Sequence, residues 1–250
     1  MELYGKTDIG LIRNTNQDAF RFGSFEDGAI WMVVCDGMGG ANGGDVASDI
    51  AVKSVSCELV SAYCAGMDTA ALQGLLAATI GKANASIFAA SQENKTLRGM
   101  GTTIVAAVVV NGSYYIAYAG DSRAYLVRQG ISRQLTTDHS MVQEMVEQGA
   151  LTEEEAQNHP RKNLITRALG VGRDVEADFG EKEVSPRDIL LLCSDGLSNC
   201  VSVPQIEETL ARTPFYEAAD ALVQKALEGG GRDNITVLLM QVEAVEENNG

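Results

Sequence analysis

With 250 residues, 45% of them hydrophobic, the chain is long enough to bury one sizeable core without disulfide or metal staples. Its 34 acidic and 19 basic residues leave a net charge of -15, which repels phosphodiester backbones and excludes nucleic acid as a partner. Five cysteines with no C-x-x-C pair exclude a disulfide framework and a zinc site of the usual spacing, and the longest apolar run, IVAAVVV at 104–110, is far too short to span a membrane.

The start, MELYGKTDIG, has neither a basic segment nor an apolar stretch of the kind that directs export. The expectation is a cytoplasmic chain with reduced thiols, no membrane association and no appended regulatory domain. In chain order, β-like runs fall at 17–22 (QDAFRF) and 29–35 (AIWMVVC). A helix follows over GDVASDIAVKSVSCELVSAY, where Val46, Ala47, Ile50, Ala51, Val55 and Leu59 share one face, and a second spans roughly 68–93. Next come 102–110, 113–119 and 123–128, separated by Asn111-Gly112 and Gly120-Asp121-Ser122. Those tight turns predict three consecutive antiparallel strands. The polar stretch from 138 to about 168 predicts short surface helices and a loop. Strands at 188–193 and 235–242 bracket a helix from Tyr216 to Glu228, and the tail 244–250 reads as disordered. Helices grouped after and between antiparallel strands argue for an α+β domain with helices covering sheet faces.

Four aspartates sit where strands end. Asp36 follows AIWMVVC, Asp121 lies in YAGDSRAY, Asp195 follows DILLLCS and Asp233 precedes ITVLLM. One such residue is ordinarily a turn or cap. Several converging at one end of a sheet repel one another, and burying them unpaired costs several kcal/mol each unless a cation compensates. Oxygen ligands without nearby His or Cys select Mg²⁺ or Mn²⁺. In DGMGG at 36–40, a glycine at 37 lets a backbone carbonyl approach such an ion. Competing designs fail on inspection: no cysteine begins a C-x5-R loop, GLLAATIGKA lacks Walker spacing, and His139 and His159 are too few for a His-rich binuclear site. GVGRDV lacks the third glycine of a dinucleotide loop.

Taken in order, RNTNQD at 13–18, DGMGG at 36–40, GDSRAY at 120–125, DHS after TT at 136–140, SDGL at 194–197 and GRDNIT at 231–236 resemble the successive motifs of the bacterial metal-dependent protein serine/threonine phosphatases, the PPM or type 2C family. The resemblance runs from about residue 4 to 242. It implies a single catalytic domain over 1–243 with a flap at about 141–175, folded as a four-layer α-β-β-α sandwich in which helices flank two central antiparallel sheets. It also implies two Mn²⁺ or Mg²⁺ ions and a third, weaker one. Asp36 would bridge the pair, the Gly37 carbonyl would complete the first site, Asp195 and Asp233 would hold the second ion, and Asp121 with Asp195 the third. Asp18 would act through ion-bound water, Arg13 would clamp the substrate phosphate, and Asn234 would support the site.

The chemistry so implied is attack on phosphorus by a water bridging two divalent ions, with no covalent intermediate. Substrates would be phosphorylated proteins and the opposing partner a bacterial-type Ser/Thr kinase, with the chain acting as a monomer. Three features depart from family patterns. Met38 stands where many relatives have a His proposed as general acid, Gln17 replaces an often acidic residue, and ANGGDVAS lacks the His and Glu often seen there, with Asp45 in the acidic position. The flap, with His159 and Arg161, is expected to contribute substrate choice, whereas His139 reads as a structural hydrogen-bonding residue. A phosphatase of small phosphoesters on the same scaffold, or an inactive phosphoprotein-binding module, stays open at this point.

Overall fold

The computed structural model describes residues 1–39, 43–157 and 159–243, so Gly40 and the tail 244–250 lie outside the described residues. One antiparallel sheet runs, in spatial order, β1 (Glu2–Asp8), β11 (Ile235–Gln241), β10 (Ile189–Cys193), β7 (Arg123–Arg128) and β8 (Ile131–Gln134). The second runs β2 (Asp18–Ser24), β3 (Ile30–Met38), β5 (Ile104–Val110), β6 (Ser113–Ala119) and β9 (Asp178–Glu183), with the short β4 (Gly101–Thr102) on the end of β3. Helices α1 (Gly44–Ala62) and α2 (Thr69–Glu93) cover the second sheet. Helices α5 (Asp195–Ser198), α6 (Val203–Arg212) and α7 (Phe215–Glu228) cover the first. The expected four-layer α-β-β-α sandwich is borne out.

Strand alternation explains the layering. On β3, Ile30, Met32 and Val34 point into the space between the sheets, while Trp31, Val33 and Cys35 point toward α1 and α2. A strand buried on both faces needs a continuous apolar run, which AIWMVVC supplies. The predicted face of α1 packs as expected: Ala47, Ala51, Val55 and Leu59 are fully buried, with Val46 and Ile50 at its margin. Truncating a filled position such as Leu59 or Ile80 to Ala would cost about 2–5 kcal/mol.

One of the two expected turns is not a hairpin. Asn111 and Gly112 both adopt left-handed φ (51° and 75°) and close a hairpin between β5 and β6. At Gly120-Asp121-Ser122 the chain instead crosses to the other sheet, so 123–128 is not the neighbour of 113–119. Both edges of β6 are already taken, by β5 and β9, and β7 pairs with β10 and β8. Gly120 has φ +116°, and a Cβ there would overlap Thr103, so only glycine makes this crossing. The crossing puts Asp121 between the sheets' ends rather than on a hairpin tip.

Candidate metal centre

Each predicted carboxylate arrives from a different element, and all meet at one mouth of the sandwich. Asp36 lies near the end of β3, directly across from Asp18 on β2. Asp121 occupies the sheet crossing, Asp195 opens α5 just after β10, and Asp233 immediately precedes Asn234 and β11. Asp36 is their common neighbour. Burial first, and then the charges of Asp18, Asp195, Asp121 and Asp233, push its carboxyl well above the usual range. Burial likewise raises Asp18 to about 7, Asp121 to about 8 and Asp195 to about 6. Four carboxyls raised together by burial and mutual repulsion signal a site lacking positive charge.

Arg13 supplies the nearest cation: its Nη2 donates to Asp233 Oδ2 at 2.6 Å, and its guanidinium, held above its ordinary value by that bond, also feels Asp36 and Asp195. The Arg13 side chain is still 50% exposed, so it is accessible to a ligand as well. Asn234 bonds to three backbone groups of residues 9–17. Its Oδ1 accepts from Gln17 N (2.8 Å), and its Nδ2 donates to the carbonyls of Ile9 (2.9 Å) and Thr15 (3.0 Å), fixing the loop that carries Arg13. Gly37 is required by packing as well: a Cβ there would overlap the Gly44 carbonyl and the oxygen of Gln17.

Residues not singled out from sequence complete the frame. Ser194 Oγ and Thr236 Oγ1 each donate to Asp18 Oδ2 at 2.7 Å. The Asp36 amide donates to Thr103 Oγ1 (3.0 Å), which shares a hydrogen bond with Ser122 Oγ (2.7 Å) and so ties β3 to the Asp121 crossing. Arg123 clasps Asp138 through Nε (2.9 Å) and Nη2 (2.6 Å). His139 proves structural, as expected: Gly120 N donates to its Nδ1 at 3.1 Å and the ring stacks on Tyr118. Ser194 and Thr236 lie within SDGL at 194–197 and GRDNIT at 231–236, which marked those segments but not the role of the hydroxyls.

The structure supports ion binding on two counts. The Oδ1 atoms of Asp18 and Asp195 are buried without a hydrogen-bond partner, though buried polar oxygens are ordinarily satisfied. The donor set is also all oxygen, which suits hard divalent ions. Among the described residues, no three His, Cys, Asp or Glu side chains are grouped tightly enough to cage an ion by themselves. Ions here would share their ligation with backbone oxygen and water, as Mg²⁺ sites commonly do. Beside the mouth, a cleft of about 840 Å³ reaches from Asp121 and Asp195 beneath α3 (Met141–Glu147) and α4 (Glu153–Gln157), with Lys162 and Asn163 on its wall. His159 and Arg161 lie at the exposed end of the same segment, joined by a bond from Arg161 N to His159 Nδ1.

A two-sheet sandwich with clustered carboxylates and the Arg13 guanidinium at its mouth has the chemistry of a metal-dependent phosphoester hydrolase. The chain belongs to the protein phosphatase 2C family, whose sequence profile, described as "Protein phosphatase 2C", matches residues 13–230. It is 41% identical over 243 residues to the serine/threonine phosphatase stp of Listeria monocytogenes serotype 4b, covering 97% of this chain and 96% of that one. The solved serine/threonine phosphatase of S. agalactiae superposes with a TM-score of 0.91 at 36% identity, over 97% of this chain and 99% of that chain. The catalytic domain of the serine threonine protein phosphatase PstP, solved in complex with two manganese ions, is 35% identical with a TM-score of 0.84, over 97% of this chain and 98% of that one. The family anticipated from the six motifs is thus borne out.

Proposed function

We propose that the chain hydrolyses phosphoserine and phosphothreonine in proteins at a dinuclear Mn²⁺ or Mg²⁺ centre, opposing a bacterial-type Ser/Thr kinase and acting as a soluble monomer. The observation that carries this reading is the gathering of Asp18, Asp121, Asp195 and Asp233 around the buried Asp36. Asp36 and the Gly37 carbonyl would hold one ion, Asp195 and Asp233 with Asp36 the other, and Asp121 with Asp195 a third, weaker one. When bound, the ions supply an acidified water nucleophile and positive charge for the phosphoryl oxygens. Arg13 exchanges the Asp233 carboxylate for two oxygens of the substrate phosphate, which fit the guanidinium fork. Asp18, its Oδ2 fixed by two hydroxyls, orients the attacking water through its unpartnered Oδ1. The flap, about 141–175, contributes substrate choice by forming one wall of the cleft beside Asp121.

The test is hydrolysis of a phosphothreonine peptide by the purified chain with Mn²⁺, with Mg²⁺ and with chelator. Phosphate release that requires a divalent ion and falls at least a hundredfold in Asp233→Ala is the expected outcome. Release undiminished by chelator would reject the metal-centred reading.

A further inference from the structure

The loop that delivers Arg13 is fixed and yet presents two bare apolar side chains. Gly10, with φ +79°, turns the chain, and its amide donates to Asp8 Oδ1 at 2.8 Å. Leu11 N donates to the Gly231 carbonyl at 2.7 Å, and Asn234 holds the carbonyls of Ile9 and Thr15 on either side. In this braced segment Leu11 is 65% exposed and Ile12 68%. Single exposed apolar residues are ordinary. Two adjacent ones, on backbone held at both ends and next to the phosphate-binding guanidinium, are a surface arranged for contact.

What covers them follows from chain geometry. An extended Arg side chain and a phosphothreonine side chain together span on the order of 10 Å, about three residues of extended chain, so residues flanking a phosphoresidue held by Arg13 can come within side-chain reach of positions 11 and 12. Arg13 and Ile12 are themselves consecutive. We infer that Leu11 and Ile12 form an apolar ledge that receives a hydrophobic side chain flanking the phosphorylated Ser or Thr, so that the enzyme prefers phosphosites with an apolar neighbour. This inference rests on the role of Arg13 proposed above. Because the loop backbone is already ordered, little conformational entropy is lost on contact, and burial of the substrate's side chain shows directly as selectivity.

The experiment compares kcat/KM for phosphothreonine peptides carrying Leu or Ser at each of the two positions before and after the phosphoresidue, with p-nitrophenyl phosphate, which has no flanking chain, as the reference substrate. An open ledge covers roughly one face of a Leu-sized side chain, so the wild-type chain should prefer Leu by about fivefold at one position at least. In Ile12→Ser and Leu11→Ser that preference should shrink toward unity relative to the reference substrate. A wild-type chain indifferent to Leu, or a preference that survives both substitutions, overturns the ledge. So does a dimer in sedimentation velocity that dissociates in Ile12→Ser, since the surface would then belong to a second copy. Arg13→Ala reports separately on the clamp: an unchanged KM for peptide and reference alike would remove the clamp, while loss of the Leu preference in Ile12→Ser would still support the ledge.

Discussion

Asp36 answers two opposed demands. Metal-free, it is a buried carboxyl among four like neighbours, and each charge raises the cost of ionising it. Asn has the same shape without the charge, so Asp36→Asn relieves the metal-free fold while removing the carboxylate that the proposed centre would share between both ions. The expected outcome is a metal-free melting temperature raised by a few degrees, the equivalent of about 1–2 kcal/mol in a domain of this size, and turnover lowered by orders of magnitude. Thermal melts in chelator beside phosphopeptide kinetics in Mn²⁺ check both halves; an unchanged rate would show that the bridging ligand lies elsewhere. At this scale the sequence was informative about the groups that carry charge. Asp beside Gly at a strand end is a local signal, and it marked Asp36, Asp195 and the Asp121 turn. The hydroxyls that fix Asp18 were legible only as members of SDGL and GRDNIT: Ser194 and Thr236 reach it across 176 and 218 positions of chain, so nothing local states which carboxylate they serve.

Among elements, the sheet crossing between β6 and β7 governs the site's shape, and it is braced by a half-buried ion pair. Arg123 at the start of β7 holds Asp138, whose next residue, His139, bonds back to Gly120. The guanidinium is raised despite the opposing effect of burial, because Asp138 holds its charge, and its field offsets part of the burial-driven rise at both Asp121 and Asp195. Removing one partner of such a pair strands the other charge. Arg123→Met should destabilise the fold by about 2–3 kcal/mol, somewhat below the figure for a fully enclosed pair, since both side chains retain some exposure. Adding Asp138→Asn should recover about half of that loss in urea unfolding; a strictly additive double variant would show that the pair is uncoupled. The elements the sequence failed to reveal share a cause. β1, β8 and β9 are all edge strands, and ISRQ and DFGEKE are short, polar and largely exposed, which protects an edge from pairing with another chain but erases the alternation that marks a strand. α6 carried a legible start, Ser202 with Gln205 three residues on and Pro204 in the first turn, so that omission was of a signal present in the sequence.

For the whole molecule, the carboxylate cluster makes stability, pH and metal a single linked system. Asp195, Asp18 and Asp121 titrate in the folded metal-free chain at about 6, 7 and 8, against an ordinary value of 3.8. The folded state therefore binds more protons than the unfolded state between roughly pH 4 and 8, and stability falls as pH rises through that window. The contribution is complete below the unfolded value and is lost once pH has passed the folded ones. Divalent ions require the deprotonated carboxylates, so their stabilisation grows over the same window that weakens the metal-free chain. In chelator the melting temperature should decline from pH 5 to pH 8.5, while in millimolar Mn²⁺ it should hold level or rise, the two curves diverging most above pH 7. A net charge of -15 also repels itself more strongly as pH rises, but exposed charges are screened by salt and buried ones much less. Repeating the chelator series in 0.5 M KCl, a salt concentration at which the Debye length is only about 4–5 Å, separates the two contributions. A decline that persists belongs to the buried cluster; a flat curve in high salt would assign the whole effect to the surface and leave the metal as the only partner of carboxylates that were never protonated.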